Sequence, residues 1–251
     1  MPGPDLRRPP CTPLVVAIDG PSGSGKSSVS REVARRLGLA YLDTGAMYRA
    51  ACWSVLETGV DLADRAAVAE HVRRLPLVMG TDPESPTVRV GAVDVSAAIR
   101  ETRISAAVSA VATNLEVRAE LRRRQREIID AARIGEPWGC VAEGRDITTV
   151  VAPDADVRIL LTADERARLA RRALEVHGTA DEAALAATRD QVLRRDADDS
   201  TVSSFQVAAD GVLHLDSSAL DFGQTVEAVL EAVLDAAAEA APVADTAGTP
   251  T

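Results

Sequence analysis

The sequence predicts an α/β protein, a parallel sheet with helices on both faces, from three observations. Short apolar runs alternate with longer stretches of helical spacing along most of the 251 residues. A glycine-rich turn joins the first apolar run to the first helical one, Leu14–Asp19 to Ser27–Leu37. Hydrophobic residues make up 46% of the chain but aromatics only 2%, so the core must be built from Val, Leu, Ile and Ala.

The elements follow in order. Leu14–Asp19 reads as a buried strand and Gly20–Gly25 as a turn. Val29, Val33, Ala34 and Leu37 share one helical face, and Gly38 stops that helix. Ala40–Asp43 is a second strand, followed by helices over Thr44–Thr58 and Asp64–Leu75. Gly80, Pro83, Pro86 and Gly91 punctuate residues 77–95, a small β insertion with strands at Leu77–Val78 and Val88–Val90. Helices return at Ser105–Thr113 and Leu115–Arg133. A strand at Cys140–Ala142 ends at Glu143-Gly144-Arg145-Asp146, and Val157–Leu161 is another. Arginine-studded helices cover Asp164–Val176 and Asp181–Arg195, then a strand Val212–Leu215 and a helix Phe222–Ala237. Residues 1–13 and 238–251 are expected to be disordered tails around one folded unit, 14–237.

Composition narrows the class. The formal charge is −10, but residues 196–251 carry 11 Asp and Glu with no Lys or Arg, so the first 195 residues are nearly neutral. That disfavours a nucleic-acid groove, which needs a broad basic face, and suits small phosphorylated ligands. Cys11, Cys52 and Cys140 have no metal or disulfide spacing, and no leader-like or membrane-length apolar run occurs. A cytoplasmic location is the expectation.

The chain has one lysine among 28 cations, and it lies in Gly20-Pro21-Ser22-Gly23-Ser24-Gly25-Lys26-Ser27, a full G-x-x-x-x-G-K-[ST] match between a strand and a helix. Backbone N–H groups of such a turn form a nest for phosphate oxygens, and the following helix adds its positive end. Arginine is bulkier and does not replace lysine there. Lys26 is therefore expected to reach the β- and γ-phosphates of a nucleoside triphosphate, and Ser27 to hold Mg²⁺ beside Ser28. A guanine-reading N-K-x-D would need a second lysine, so a typical GTPase is disfavoured.

Past the second strand the sequence reads Asp43-Thr44-Gly45-Ala46-Met47-Tyr48-Arg49. Together with Gly144-Arg145-Asp146, the insertion at 77–95, Arg194-Arg195-Asp196 and Asp199-Ser200, it resembles the bacterial-type cytidylate kinase family of nucleoside monophosphate kinases, from about Leu14 to Val233. The resemblance implies a phosphate-loop fold with an acceptor-binding lobe at about 44–113 and a helical lid at about 164–200. It implies transfer of the γ-phosphoryl group of ATP, with Mg²⁺, to CMP or dCMP by a monomer. Arg49 and Arg145 would hold the acceptor's phosphate, Arg195 and Asp199 its ribose, and Asp146, beside Gly144, would read cytosine. A carboxylate accepts from the N4 amino group and repels the O4 of uracil. Ser109 and Arg118 match residues that bond the base's O2 and N3 edge, with Thr44 nearby. Magnesium binding by Asp146 is the alternative role for that residue.

Arg168, Arg171 and Arg172 lie three or four apart, as a lid closing over the ATP phosphates would require, whereas Arg166 and Arg189 read as solvated. The chain departs from the family's D-S-x-R-x-x-S-P-L in Asp199-Ser200-Thr201-Val202, where Val202 replaces an arginine. Substitution by Arg194, Arg171 or Arg172 is the expectation. A phosphate-loop kinase for another small acceptor, and a nucleotide-binding regulatory protein with weak transfer, are the competing functions.

Overall fold

The computed structural model of the protein describes residues 13–240. Five strands, β1 (Leu14–Asp19), β2 (Ala40–Asp43), β6 (Gly139–Gly144), β7 (Val157–Thr162) and β8 (Leu213–Asp216), form an all-parallel sheet in the order β2-β6-β1-β7-β8. Side chains alternate across β1, so the two helical layers share one strand. Val15 and Ala17 face a core closed by α2 (Thr44–Glu57), α3 (Arg65–Arg74), α4 (Thr102–Ala112) and α5 (Leu115–Ile134). Val16 and Ile18 face another, closed by α1 (Lys26–Leu37) and α8 (Phe222–Ala240). Both cores are mainly aliphatic, with Tyr48 in the first and Tyr41 in the second. Burying each Val, Leu or Ile contributes about 1.5–3 kcal/mol.

Three short strands, β3 (Leu77–Met79), β4 (Val88–Val90) and β5 (Val93–Asp94), pair antiparallel as a separate sheet, one strand more than the sequence suggested. Arg31 on α1 holds this insertion against the main domain, donating to the carbonyls of Pro83 and Glu84 at 2.6 and 2.8 Å. Helices α6 (Glu165–His177) and α7 (Glu182–Ser200) form a hairpin after β7.

Four sequence expectations are corrected. Helix α4 begins at Thr102 rather than Ser105, and α7 runs to Ser200 rather than Arg195. A π-helical turn, Ile147–Val151, follows β6 where no element was expected. Residues 238–240, placed in a disordered tail, lie in α8. The rest of that tail, from 241, and nearly all of the expected N-terminal one, residues 1–12, lie outside the described residues.

The strand order places the site. The chain leaves β1 toward β2 on one side and crosses from β6 to β7 on the other, so β1 stands at a topological switch point. Ligand crevices of open parallel sheets form beyond the strand C-termini at such a point. The C-terminal ends of β1, β2, β6 and β7 lead into Gly20, Thr44, Arg145 and the α6–α7 hairpin.

Candidate active site

The loop after β1 turns on left-handed glycines, with φ of 77° at Gly23 and 88° at Gly25. A Cβ at Gly23 would lie 2.5 Å from the carbonyl oxygen of Arg168, so this glycine also lets α6 approach. Gly25 caps α1 without a side-chain hydrogen bond, leaving the helix's first N–H groups for a ligand. The turn is tied by Ser24 N–H on the Pro21 carbonyl at 3.3 Å and by Lys26 Nζ on the same oxygen at 3.4 Å. Burial lowers the Lys26 pKa, the Arg145 charge lowers it further, and Glu143 opposes both.

The Ser27 hydroxyl donates to Glu143 Oε1 at 2.7 Å. Burial raises the Glu143 pKa, the Asp43 charge adds to this, and Lys26 opposes it. A buried carboxylate beside the phosphate-loop serine, short of positive charge, fits a divalent cation. Among the described residues it is Glu143, not Asp146, whose carboxylate bonds Ser27, while Asp146 bonds Arg118 and Arg122.

Asp43 has two roles. One oxygen caps α2, accepting from Ala46 N–H at 2.7 Å, and the other accepts from Arg49 Nη2 at 2.8 Å. Burial works against its charge, yet Arg49 and the capping N–H hold its pKa below the usual value. Arg145 donates to Asp199 Oδ2 at 3.0 Å, to Asp196 Oδ1 at 2.9 Å and to the Gly20 carbonyl, and stacks 4.5 Å from the buried Phe205 ring. Arg195 lies within 3.9 Å of Asp199. Burial and the charges of Arg145, Arg49 and Arg172 push Arg195 down to about 10. Lys26 feels both Arg145 and Arg195, and Arg195 feels Arg49, so the four cations act on one another beside the loop. The buried Nε atoms of Arg49 and Arg195 have no hydrogen-bond partner among the described residues. Crowded, part-unpaired guanidinium groups of this kind suit polyanionic ligands.

A second cluster lies beside the first. Arg118 Nη2 and Arg122 Nη2 each donate to Asp146 Oδ2 at 2.6 Å, and Arg122 Nε adds a bond at 2.9 Å. Arg118 also bonds the Ser203 hydroxyl at 2.7 Å and lies 5.8 Å from the Tyr48 ring. Gly144 is required by packing, since a Cβ there would meet the Thr44 hydroxyl at 2.5 Å. Thr44 Oγ1 donates to the Glu143 carbonyl at 2.8 Å, which welds the end of β2 to that of β6. Ser109 is half-buried on α4, and no side-chain bond joins it to this cluster among the described residues.

The hairpin reaches the loop through Arg168 and Arg171. Arg168 donates to the Ser22 carbonyl at 3.0 Å and to Asp196, whose other oxygen accepts from Ser22 N–H at 3.0 Å. Arg171 donates to the carbonyls of Ser24 (3.0 Å) and Ser217 (2.8 Å), near the loop's outer edge. Arg172 pairs with Glu175 at 2.8 Å but lies close enough to Arg195 to depress it. Of the arginines expected to cover for Val202, Arg171 bonds the loop, as Arg168 also does, and Arg194 is exposed.

Sequence reasoning missed Glu143, Asp43, Asp196 and Arg122 as site residues. Glu143 and Asp43 carried a signal, because each is the last acid of a strand that ends beside the loop. Arg122 is four residues after Arg118 and so shares its helix face. Asp196 stands in the Arg194-Arg195-Asp196 motif, but only the fold of α7 brings it to Ser22.

A parallel sheet, a phosphate loop at its switch point, and convergent cations under a helical hairpin define a phosphate-loop phosphotransferase. The family model described as cytidylate kinase matches residues 16–235. The chain is 44% identical to the cytidylate kinase of Streptomyces avermitilis, over 86% of this chain and 91% of that one. It is 51% identical to that of Nocardia farcinica, with the same shares covered. A solved gluconokinase structure from Sinorhizobium meliloti aligns over 90% of this chain and 95% of its own, with 15% identity and a TM-score of 0.42. The chain belongs to the cytidylate kinase family.

Proposed function

We propose that the protein transfers the γ-phosphoryl group of ATP to CMP or dCMP, giving ADP and CDP or dCDP. Family membership supports the reaction. The observation that carries the site assignment is that Lys26 and Arg145 bond the loop carbonyls of Pro21 and Gly20, Arg195 shares Asp199 with Arg145, and Arg49 lies close enough to Arg195 to depress it. Two phosphate-bearing substrates bring more negative charge than a lone nucleotide, and four cations match that load.

In this reading the loop N–H groups and Lys26 hold the ATP phosphates, and Arg49 and Arg145 present the acceptor's phosphate. An oxygen of that phosphate attacks the γ-phosphorus as the bond to the β–γ bridging oxygen breaks. Positioning and charge neutralisation are sufficient for such a transfer. Each arginine leaves a protein carboxylate for a phosphate: Arg49 leaves Asp43, and Arg145 leaves Asp196 and Asp199. Asp199, once released, is free to accept from a ribose hydroxyl beside Arg195. Ser27 and Glu143 would hold Mg²⁺, which supplies charge neutralisation across the β- and γ-phosphates when bound. Asp146 and Arg118 read the base, with Ser109 on the adjoining helix α4 and Thr44 supporting the strand ends.

The acceptor lobe spans about 44–113, and the lid, about 164–200, carries Arg168, Arg171 and Arg172. With Val202 uncharged, Arg168 supplies lid charge at Ser22. Among the described residues no helix is long and apolar enough to cross a membrane. A cytoplasmic monomer completes the proposal. ADP release in the presence of Mg²⁺-ATP, compared across CMP, dCMP, UMP, AMP and shikimate, tests it. CMP and dCMP should be the best acceptors. Preference for AMP or shikimate would reject the acceptor assignment, and ATP binding without acceptor-dependent ADP would favour the regulatory reading.

A further inference from the structure

Asp146 is bonded on one side only. Its Oδ2 accepts three hydrogen bonds, one from Arg118 and two from Arg122, and among the described residues none reaches Oδ1. Three charge-assisted bonds saturate one oxygen and fix the plane of the carboxylate. The other oxygen is left to accept from a ligand.

The two arginines differ in setting. Arg118 is 4% exposed and also donates to the Ala112 carbonyl and Ser203, so it is built into the fold. Arg122 is 25% exposed and makes no other hydrogen bond among the described residues. Its only polar partner is the one oxygen of Asp146. Like charges four apart on a helix ordinarily destabilise it, and the shared carboxylate offsets that here. Arg126, one turn further on the same face, is different again: it donates to the carbonyls of Val150 and Val151 and pins the backbone of the same segment.

We propose that Arg122 is a specificity-determining positioning residue: with Arg118 it locks Oδ2 of Asp146, so that Oδ1 alone meets the acceptor base and accepts from an exocyclic amino group. The inference rests on the reading of Asp146 as the base-contacting carboxylate. A locked, ionised acceptor rewards the amino group of cytosine and repels the carbonyl oxygen of uracil at the same position. A carboxylate held by Arg118 alone can rotate away from the mismatch, and discrimination falls.

The test compares kcat and KM for CMP and UMP in wild type, Arg122→Met, Arg122→Lys, Arg126→Met and Asp146→Ala, with thermal melting of each. Arg122→Met should raise KM for CMP about tenfold with kcat within about twofold, the scale of one charge-assisted hydrogen bond. KM for UMP should stay within about twofold, so the CMP to UMP ratio of kcat/KM falls about tenfold. Arg122→Lys keeps the charge but not the fork and should fall between, by about threefold. Arg126→Met should lower the melting temperature and leave the ratio alone. If Arg126→Met lowers the ratio as much as Arg122→Met, loosening of the segment is responsible and the proposal fails. It also fails if Asp146→Ala collapses the ratio while Arg122→Met and Arg122→Lys keep it. A ratio that survives Asp146→Ala overturns the base-contacting role of Asp146 itself, and the proposal with it.

Discussion

Glu143 sits where a strand end, a loop serine and a lysine meet. Burial and the neighbouring Asp43 both disfavour its charge, against the support of Lys26, the Ser27 hydroxyl and Arg49. A divalent cation relieves that cost, so Glu143→Gln should raise the Mg²⁺ concentration for half-maximal turnover by about 10- to 100-fold, the usual effect of losing a supporting carboxylate. KM for CMP should change little. A titration of activity against Mg²⁺ checks this, and an unchanged midpoint would remove Glu143 from the metal site. Val202 poses the opposite question, a missing charge. Arg168 already reaches the Ser22 carbonyl, so Val202→Arg should alter kcat by less than about threefold. Restoring a transition-state arginine that had no replacement would raise kcat by about 10³ or more.

At the scale of elements, regular structure was legible wherever apolar spacing set it. β1, β2 and α1 follow their hydrophobic pattern to within a residue. The C-terminal end of α7, past Arg195, was not, because Asp196, Asp198 and Asp199 are poor helix formers. Tertiary pairing overrides the propensity: Arg145 and Arg168 neutralise Asp196, and Arg145 and Arg195 take Asp199. The π-helical turn at 147–151 has no periodic signal. It is held from outside, by Asp19 accepting from the N–H groups of Ile147 and Thr148 and by Arg126. Helix α5 carries its own ion pairs. Hydrogen bonds from Arg123 and, against the pull of burial, from Arg124 hold Glu120 down to about 2. A depressed carboxyl stabilises the fold above the unfolded value near 4.5 and loses that contribution as pH falls toward 2. The melting temperature of wild type should therefore drop more between pH 5 and pH 2.5 than that of Glu120→Gln. Equal drops would mean the pair contributes no pH dependence.

For the whole molecule, charge distribution connects composition to site. Asp196 and Asp199 stood in motifs after residue 194, and the structure adds that both are counter-ions of Arg145. A net charge of −10 thus coexists with a cationic cleft. The phosphate loop, Arg49, Arg145 and Asp146 were legible as single residues, because their motifs are contiguous. Asp43 shares a motif with Arg49, but Asp196 and Asp199 reach Arg145 from a distant helix, a pairing that adjacency does not reveal. The central claim is that one cleft seats two nucleotides with their terminal phosphates in line. It is tested most directly by a bisubstrate analogue, adenosine and cytidine joined through five phosphates. Initial rates at varied ATP and at varied CMP should show competitive inhibition against both substrates, whereas competition with ATP alone, and none with CMP, would contradict a shared cleft.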